Sequence, residues 1–192
     1  MPKIKKAKIL ILATDGFEQS ELEVPLEKLR TAGALVHVAA PTERKDKAHI
    51  TGWQGKDWGK PVPVDVELNE ATVSFYDALV LPGGQMNPDT LRQTPEAMDF
   101  IKEFVASGKT IAAVCHAPWL LIEANAVKGR KVTSYKSIKT DMINAGANWV
   151  DQSVVADHGI VTSRNPDDLE AFVAKIIEEI EEGKHERPVL AA

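Results

Sequence analysis

A single cysteine, Cys115, is all the thiol this chain of 192 residues carries. It closes no internal disulfide, and with no CxxC pair the chain has no zinc-site spacing. A lone reduced thiol fits a cytosolic setting, so a cytoplasmic protein is expected. Long apolar runs are equally scarce. Ile9 to Ala13 follows the basic start Lys3-Ile4-Lys5-Lys6 but stops before Asp15. That is too short for the core of a signal peptide, and no small-residue cleavage site follows. Nothing approaches the length of a membrane span. An excess of positive charge is missing too. The net charge is -5 and Lys and Arg are scattered, which excludes a nucleic-acid footprint. Neither the GxGxxG nor the Walker pattern of a nucleotide site occurs. The one dense acidic run, Glu178 to Glu182, reads as the solvated face of a helix that is apolar on its other side.

What the chain does have is alternation. Its size suits one good core, so residues 1–192 are read as a single domain. Ala7 to Ala13 is continuously apolar, the mark of a parallel strand buried on both faces. Glu18 to Thr31 reads as a helix, with Leu22, Leu26 and Leu29 on one face and Gly33 past its end; Pro25 predicts a kink or a late start. Strands are expected at Leu35–Ala40, Asp77–Leu81, Thr110–Val114 and Lys131–Ser134. Helices are expected after Thr94-Pro95, at Pro118–Ala124 and at Ile138–Ala145. Lys47 to Leu68 breaks the alternation and reads as a loop followed by an edge or antiparallel strand, confined there by Pro61 and Pro63. Its tryptophans serve either a subunit contact or packing over the sheet. Val154 to Thr162 reads as a hairpin around Asp157-His158-Gly159. Asn165-Pro166 caps a last helix with Leu169, Phe172, Val173, Ile176, Ile177 and Ile180 at helical spacing. The order implies an α/β fold with a mainly parallel sheet, whose sites form at the carboxyl ends of the strands.

Three suggestive loops fall at those ends. Cys115 comes directly after an apolar strand and before a helix, the layout of a nucleophile elbow, with small residues at Ala112, Ala113 and Ala117. The helix amino end is expected to lower the thiol pKa. The competing reading is a buried structural cysteine, the commoner fate of a lone one. Gly83 and Gly84 end a neighbouring strand and let backbone N–H groups point at an oxyanion, with His116 N–H as the second donor. Glu18 ends the first strand; ionised it would raise the thiol pKa, whereas a buried, protonated Glu18 could donate to the thiolate. Glu21 and Glu23 are read as surface residues of the following helix. His116 is the candidate base, although the side chain after a nucleophile is expected to point away from it. His37, His49, His158 and His185 are assigned no chemistry.

Asp15-Gly16-Phe17-Glu18-Gln19-Ser20-Glu21-Leu22, Leu81-Pro82-Gly83-Gly84, Ala113-Val114-Cys115-His116-Ala117-Pro118 and Thr133-Ser134-Tyr135 occur in that order. Asp141-Met142-Ile143-Asn144-Ala145-Gly146 and Trp149-Val150-Asp151 follow. Over nearly the whole chain they resemble the PfpI intracellular protease family, in the superfamily of the parkinsonism-associated protein deglycase. The resemblance implies a flavodoxin-like three-layer sandwich with a mainly parallel sheet, the class I glutamine amidotransferase-like fold. It implies Cys115 as nucleophile, His116 beside it, Glu18 contacting the thiol, and an oxyanion hole from Gly84 and His116. It also implies a homo-oligomer, dimer or hexamer. In it, an acidic residue after the Pro-Gly-Gly turn reaches a neighbouring subunit's site and orients the histidine. Asp89 stands there, shorter than the Glu of the family's protease prototype.

Three functions compete. The first is a stress-response enzyme acting on reactive aldehydes or glycated protein, a glutathione-independent glyoxalase or deglycase. The second is a peptidase, which needs an oriented His116–Asp89 pair to expel an amine. The third is a non-catalytic redox-sensing or chaperone-like protein with Cys115 as its oxidisable thiol. True glutamine amidotransfer is not expected, because no suitably spaced His-x-Glu follows Cys115. No metal or organic cofactor is expected, and neither is a membrane or nucleic-acid partner.

Overall fold

Successive residues of a strand face opposite sides of a sheet, and β1 (Lys8–Leu12) divides its side chains by that rule. Ile9 and Ile11 enter one hydrophobic core, Leu10 and Leu12 the other. The computed structural model describes residues 3–187. After β1 come α1 (Gln19–Thr31), β2 (Leu35–Ala40), β3 (His49–Gln54), β4 (Asp57–Pro63), β5 (Val66–Glu67) and β6 (Ala78–Leu81). Then follow α2 (Met86–Leu91), α3 (Pro95–Ala106), β7 (Thr110–Val114), α4 (Pro118–Glu123), β8 (Lys131–Val132) and α5 (Lys139–Asn144). The chain closes with β9 (Asn148–Trp149), β10 (Val154–Asp157), β11 (Ile160–Ser163) and α6 (Leu169–Glu182).

Seven strands form one sheet in the order β10-β11-β7-β6-β1-β2-β5. All neighbours are parallel except β10 and β11, which make the antiparallel hairpin expected around Asp157-His158-Gly159. One face packs on α3 and α4 through Phe100, Ile101, Phe104, Leu120 and Leu121. The other packs on α1 and α6 through Leu22, Leu29, Phe172, Val173 and Ile176. Each such side chain, fully buried, contributes about 1.5–3 kcal/mol. Helices on both faces of a mostly parallel sheet make this the α/β three-layer sandwich of the expected fold class.

Several local expectations change. Pro25 lies inside α1 and the helix runs through it, so it starts neither late nor after a break. Lys47–Leu68 is structured almost throughout, as the β3–β4 hairpin plus β5 on the sheet edge. Helix α2 and strand β9 had no clear pattern in the sequence. The Thr94 hydroxyl donates to Thr90 O at 3.0 Å rather than capping α3, whereas Asn165 Oδ1 accepts from Asp167 N–H at 3.0 Å as a cap should. Among the described residues no helix is long and apolar enough to cross a membrane.

The order in which strands join the sheet reverses between β1 and β6: β2 and β5 extend it one way, β7 and β11 the other. The crevice beyond such a switch point is where open α/β sheets bind ligands. The loops after β1, β6 and β7 therefore meet, and they carry Glu18, Gly83-Gly84 and Cys115.

Candidate active site

Cys115 leaves β7 in the left-handed conformation, at φ +63°. For a residue with a side chain this costs about 1–2 kcal/mol, and the surroundings hold it there. Cys115 N–H donates to Ser163 O at 3.0 Å, and its carbonyl accepts from Tyr135 N–H at 2.8 Å. Ala112, Ala113 and Ala117 are fully buried around the turn. The sharp strand-to-helix turn read from the sequence is present, and backbone strain of this kind clusters at functional sites.

The carboxyl beside the thiol is Glu21, not Glu18. Glu21 is fully buried and lies against the Cys115 thiol. Gly83 N–H donates to its Oε2 at 2.9 Å, and its Oε1 is buried without a nitrogen or oxygen partner. Burial raises its pKa to about 8. Near neutral pH the acid is held protonated and its O–H is a donor toward the sulfur. The acid expected against the thiol, Glu18, stands three residues before the one found there. Glu18 precedes α1 in extended conformation and pairs by backbone with Trp53. A signal for Glu21 exists in the sequence: it shares a stripe with Leu22, Pro25 and Leu29, all buried, so an acid sits on the inward face of α1. Reading Glu21 as a surface residue is overturned by its burial.

The expected lowering of the thiol pKa is also reversed. Burial pushes the Cys115 thiol up, and the Glu21 carboxylate adds to this when ionised. Only the backbone N–H groups of Gly84 and His116 pull the other way. Helix α4, of 6 residues, is too short to offset the loss of water. Thiol and carboxyl thus form a coupled pair in which a proton on one eases ionisation of the other.

His116 turns toward the sulfur rather than away from it, with Nδ1 3.1 Å from Sγ. Its Nε2 lies 3.0 Å from Ser137 Oγ, and its ring stacks on Tyr135 at 4.8 Å. Burial lowers its pKa, so the imidazole is neutral near pH 7. Asp89 is exposed on α2 and is not among the residues lining the cleft; within this chain the imidazole's partner is Ser137.

Gly83 packs so close that an added Cβ would lie 2.7 Å from Cys115 Cβ. The turn is clamped by Asn87, fully buried, which the sequence did not single out. Its Oδ1 accepts from Thr14 N–H at 2.8 Å, and its Nδ2 donates to Pro82 O at 2.7 Å and Gly83 O at 3.2 Å. Asn87→Leu therefore orphans buried groups at the ends of β1 and β6. It should cost about 2–4 kcal/mol, read as a lowered urea midpoint with the slope unchanged.

These groups open onto a cleft of about 720 Å³, walled by Glu18, Trp53, Met86, Tyr135, Ser137 and Pro166 among others. Among the described residues, one group has metal-ligand proximity: Glu179, Glu182 and His185 at the end of α6, outside this cleft.

The DJ-1/PfpI family matches residues 7–179. This chain belongs to it. A putative cysteine protease, YraA, of Bacillus subtilis is 43% identical over 86% of this chain and 93% of its own. Protein/nucleic acid deglycase 2 of Escherichia coli is 43% identical over 86% of this chain and 92% of its own. Among solved structures, a two-domain protein of Anabaena variabilis with DJ-1/ThiJ/PfpI-like and ferritin-like domains is 34% identical, with a TM-score of 0.83 over 97% of this chain. This chain spans about half of that one, 52%. As a DJ-1/PfpI member the chain sits among relatives named as deglycases and as a protease, which supports catalytic potential.

Proposed function

We propose that this DJ-1/PfpI protein is a cysteine-dependent enzyme acting on reactive aldehydes or glycated protein, a glutathione-independent glyoxalase or deglycase. The observation that carries the reading is the strained Cys115 between a neutral His116 and a protonated Glu21. The Cys115 sulfur adds to the aldehyde carbon, forming a C–S bond as the carbonyl π bond opens. The thiol proton passes to His116 Nδ1, and the carbonyl oxygen takes a proton from Glu21, giving a hemithioacetal. Gly84 and His116 N–H groups stand beside the sulfur, where that oxygen carries charge in the transition state. The Glu21 carboxylate then carries the C–H proton to the neighbouring carbonyl carbon, while the His116 imidazolium protonates that carbonyl's oxygen and takes back the proton of the new hydroxyl, giving a thioester. Water cleaves it, so methylglyoxal plus water becomes lactate and the thiol is restored.

A free aldehyde has no leaving group to protonate. A peptide bond does, and its cleavage needs an imidazolium held by a carboxylate. Within one chain Nε2 meets the Ser137 hydroxyl rather than a carboxylate. That favours the aldehyde reading, which has no amine to expel, over the peptidase. The proposal includes a single catalytic domain, a cytoplasmic location and a homo-oligomer in which Asp89 approaches a neighbour's His116.

Incubation of wild type and Cys115→Ser with methylglyoxal and, separately, a fluorogenic peptide tests it. Lactate from the wild type alone is expected, with no fluorophore release. Peptide cleavage without lactate transfers the assignment to the peptidase, and lactate from Cys115→Ser at the wild-type rate removes Cys115 as nucleophile.

A further inference from the structure

The site so far accounts for the reacting carbonyl but not for the rest of the substrate. The charges around the cleft bear on that. Among the described residues lining it, none is Lys or Arg. Lys56 and Lys136 neighbour lining residues in sequence, but both are exposed and outside the lining. Arg164 lies in an adjoining smaller cleft and is already engaged, 2.7 Å from Asp151 and 2.7 Å from Asp168. His116 is neutral and Glu21 is held protonated. Glu18 is the carboxylate left in the wall, half-buried and, among the described residues, without a side-chain hydrogen bond or ion pair.

Glu18 does not stand alone. Its backbone pairs with Trp53, Trp53 N–H donates to Phe17 O at 2.6 Å, and both residues line the cleft from this paired segment. The indole is fixed in turn. Its Nε1 donates to Gly55 O at 3.2 Å, and Trp58 meets it edge-on at 5.6 Å between ring centroids. A carboxylate beside a held indole is a recognition pair for an organic cation, by charge and by cation–π attraction.

We infer that this cleft selects its substrate by charge, admitting carbonyl compounds that are neutral or carry an ammonium or guanidinium group and disfavouring those with a carboxylate or phosphate. Glu18 is the specificity-determining residue and Trp53 its partner. The inference rests on the proposed aldehyde chemistry for its meaning, but charge selection at Cys115 is measurable without turnover.

Cys115 is the sole cysteine, so thiol-directed reagents report this site alone. Methanethiosulfonates bearing trimethylammonium, neutral methyl or sulfonate groups all react alike: an S–S bond forms at Cys115, and methanesulfinate leaves. Labelling rates read by mass spectrometry are divided by the rates with free cysteine. The cationic reagent should then exceed the anionic one by on the order of tenfold. Glu18→Gln should collapse that ratio, Glu18→Asp should keep most of it, and high salt should shrink it in the wild type. Equal normalised rates for the two charged reagents, or a ratio untouched by Glu18→Gln, overturns the inference. Charge-selective labelling without lactate formation would retain the charge filter and reject the aldehyde chemistry, so the two failures are distinguishable.

Discussion

Glu21→Gln should lower kcat for lactate formation by about a hundredfold or more while leaving the protein folded. Glutamine keeps the volume and can still accept from Gly83 N–H through its amide oxygen, so the turn after β6 stays supported. It cannot give up or recover a proton as the mechanism requires. Glu21→Ala would confuse the result, because it leaves a buried cavity and an unpaired N–H. The same substitution has a signature in stability. Glu21 has a pKa of about 8 in the fold against 4.5 unperturbed, so the native state binds more protons than the unfolded chain between those values. The stabilising contribution is complete below about pH 4.5 and is lost as pH rises through 8. Its upper limit is on the order of 5 kcal/mol. Denaturant unfolding of the wild type from pH 5 to 9 should show stability falling with pH, and Glu21→Gln should flatten that slope. An unchanged slope would mean that the carboxyl is ionised in the native protein.

Gly84→Ala should damage both fold and chemistry. Gly84 has φ +74°, a conformation an alanine enters only at a cost of about 1–2 kcal/mol. An added Cβ would also lie 2.6 Å from Gly16 O and 2.7 Å from Glu18 N. Those atoms are backbone and cannot swing aside, so the loops after β1 and β6 must separate. Overpacking of this kind adds about 1–3 kcal/mol. A total loss near 3 kcal/mol corresponds to a melting temperature lower by about 6–12 °C. The Gly84 N–H then moves from the sulfur, and loss of one oxyanion donor typically costs about a hundredfold to a thousandfold in kcat. Circular-dichroism melting with lactate assays well below the transition separates the two effects. Wild-type kcat in a destabilised Gly84→Ala would show that its N–H takes no part.

The sequence by itself was sufficient for the architecture and for the sharp turn that carries Cys115. Apolar runs with helices between them specify a parallel sheet, since only strands buried on both faces read that way. A polar residue squeezed between Val114 and a helix marks the elbow, and Cys115 is the one thiol in the chain. The strand-end glycines were legible for the same reason, being backbone requirements written as residue type. Which carboxyl meets the thiol was not. Glu18 and Glu21 are three positions apart, and the start of α1 decides between them. Beginning at Gln19, the helix turns Glu21 inward and leaves Glu18 extended against Trp53. Tertiary structure also decided the direction of the thiol pKa. The sequence shows a helix amino end near Cys115, but not that packing removes the water a thiolate needs. His116 facing Cys115, Ser137 as its partner and Asn87 clamping the Gly83 turn depend on loops brought together across the sheet. No local pattern encodes such meetings, because they form only when the strands have paired.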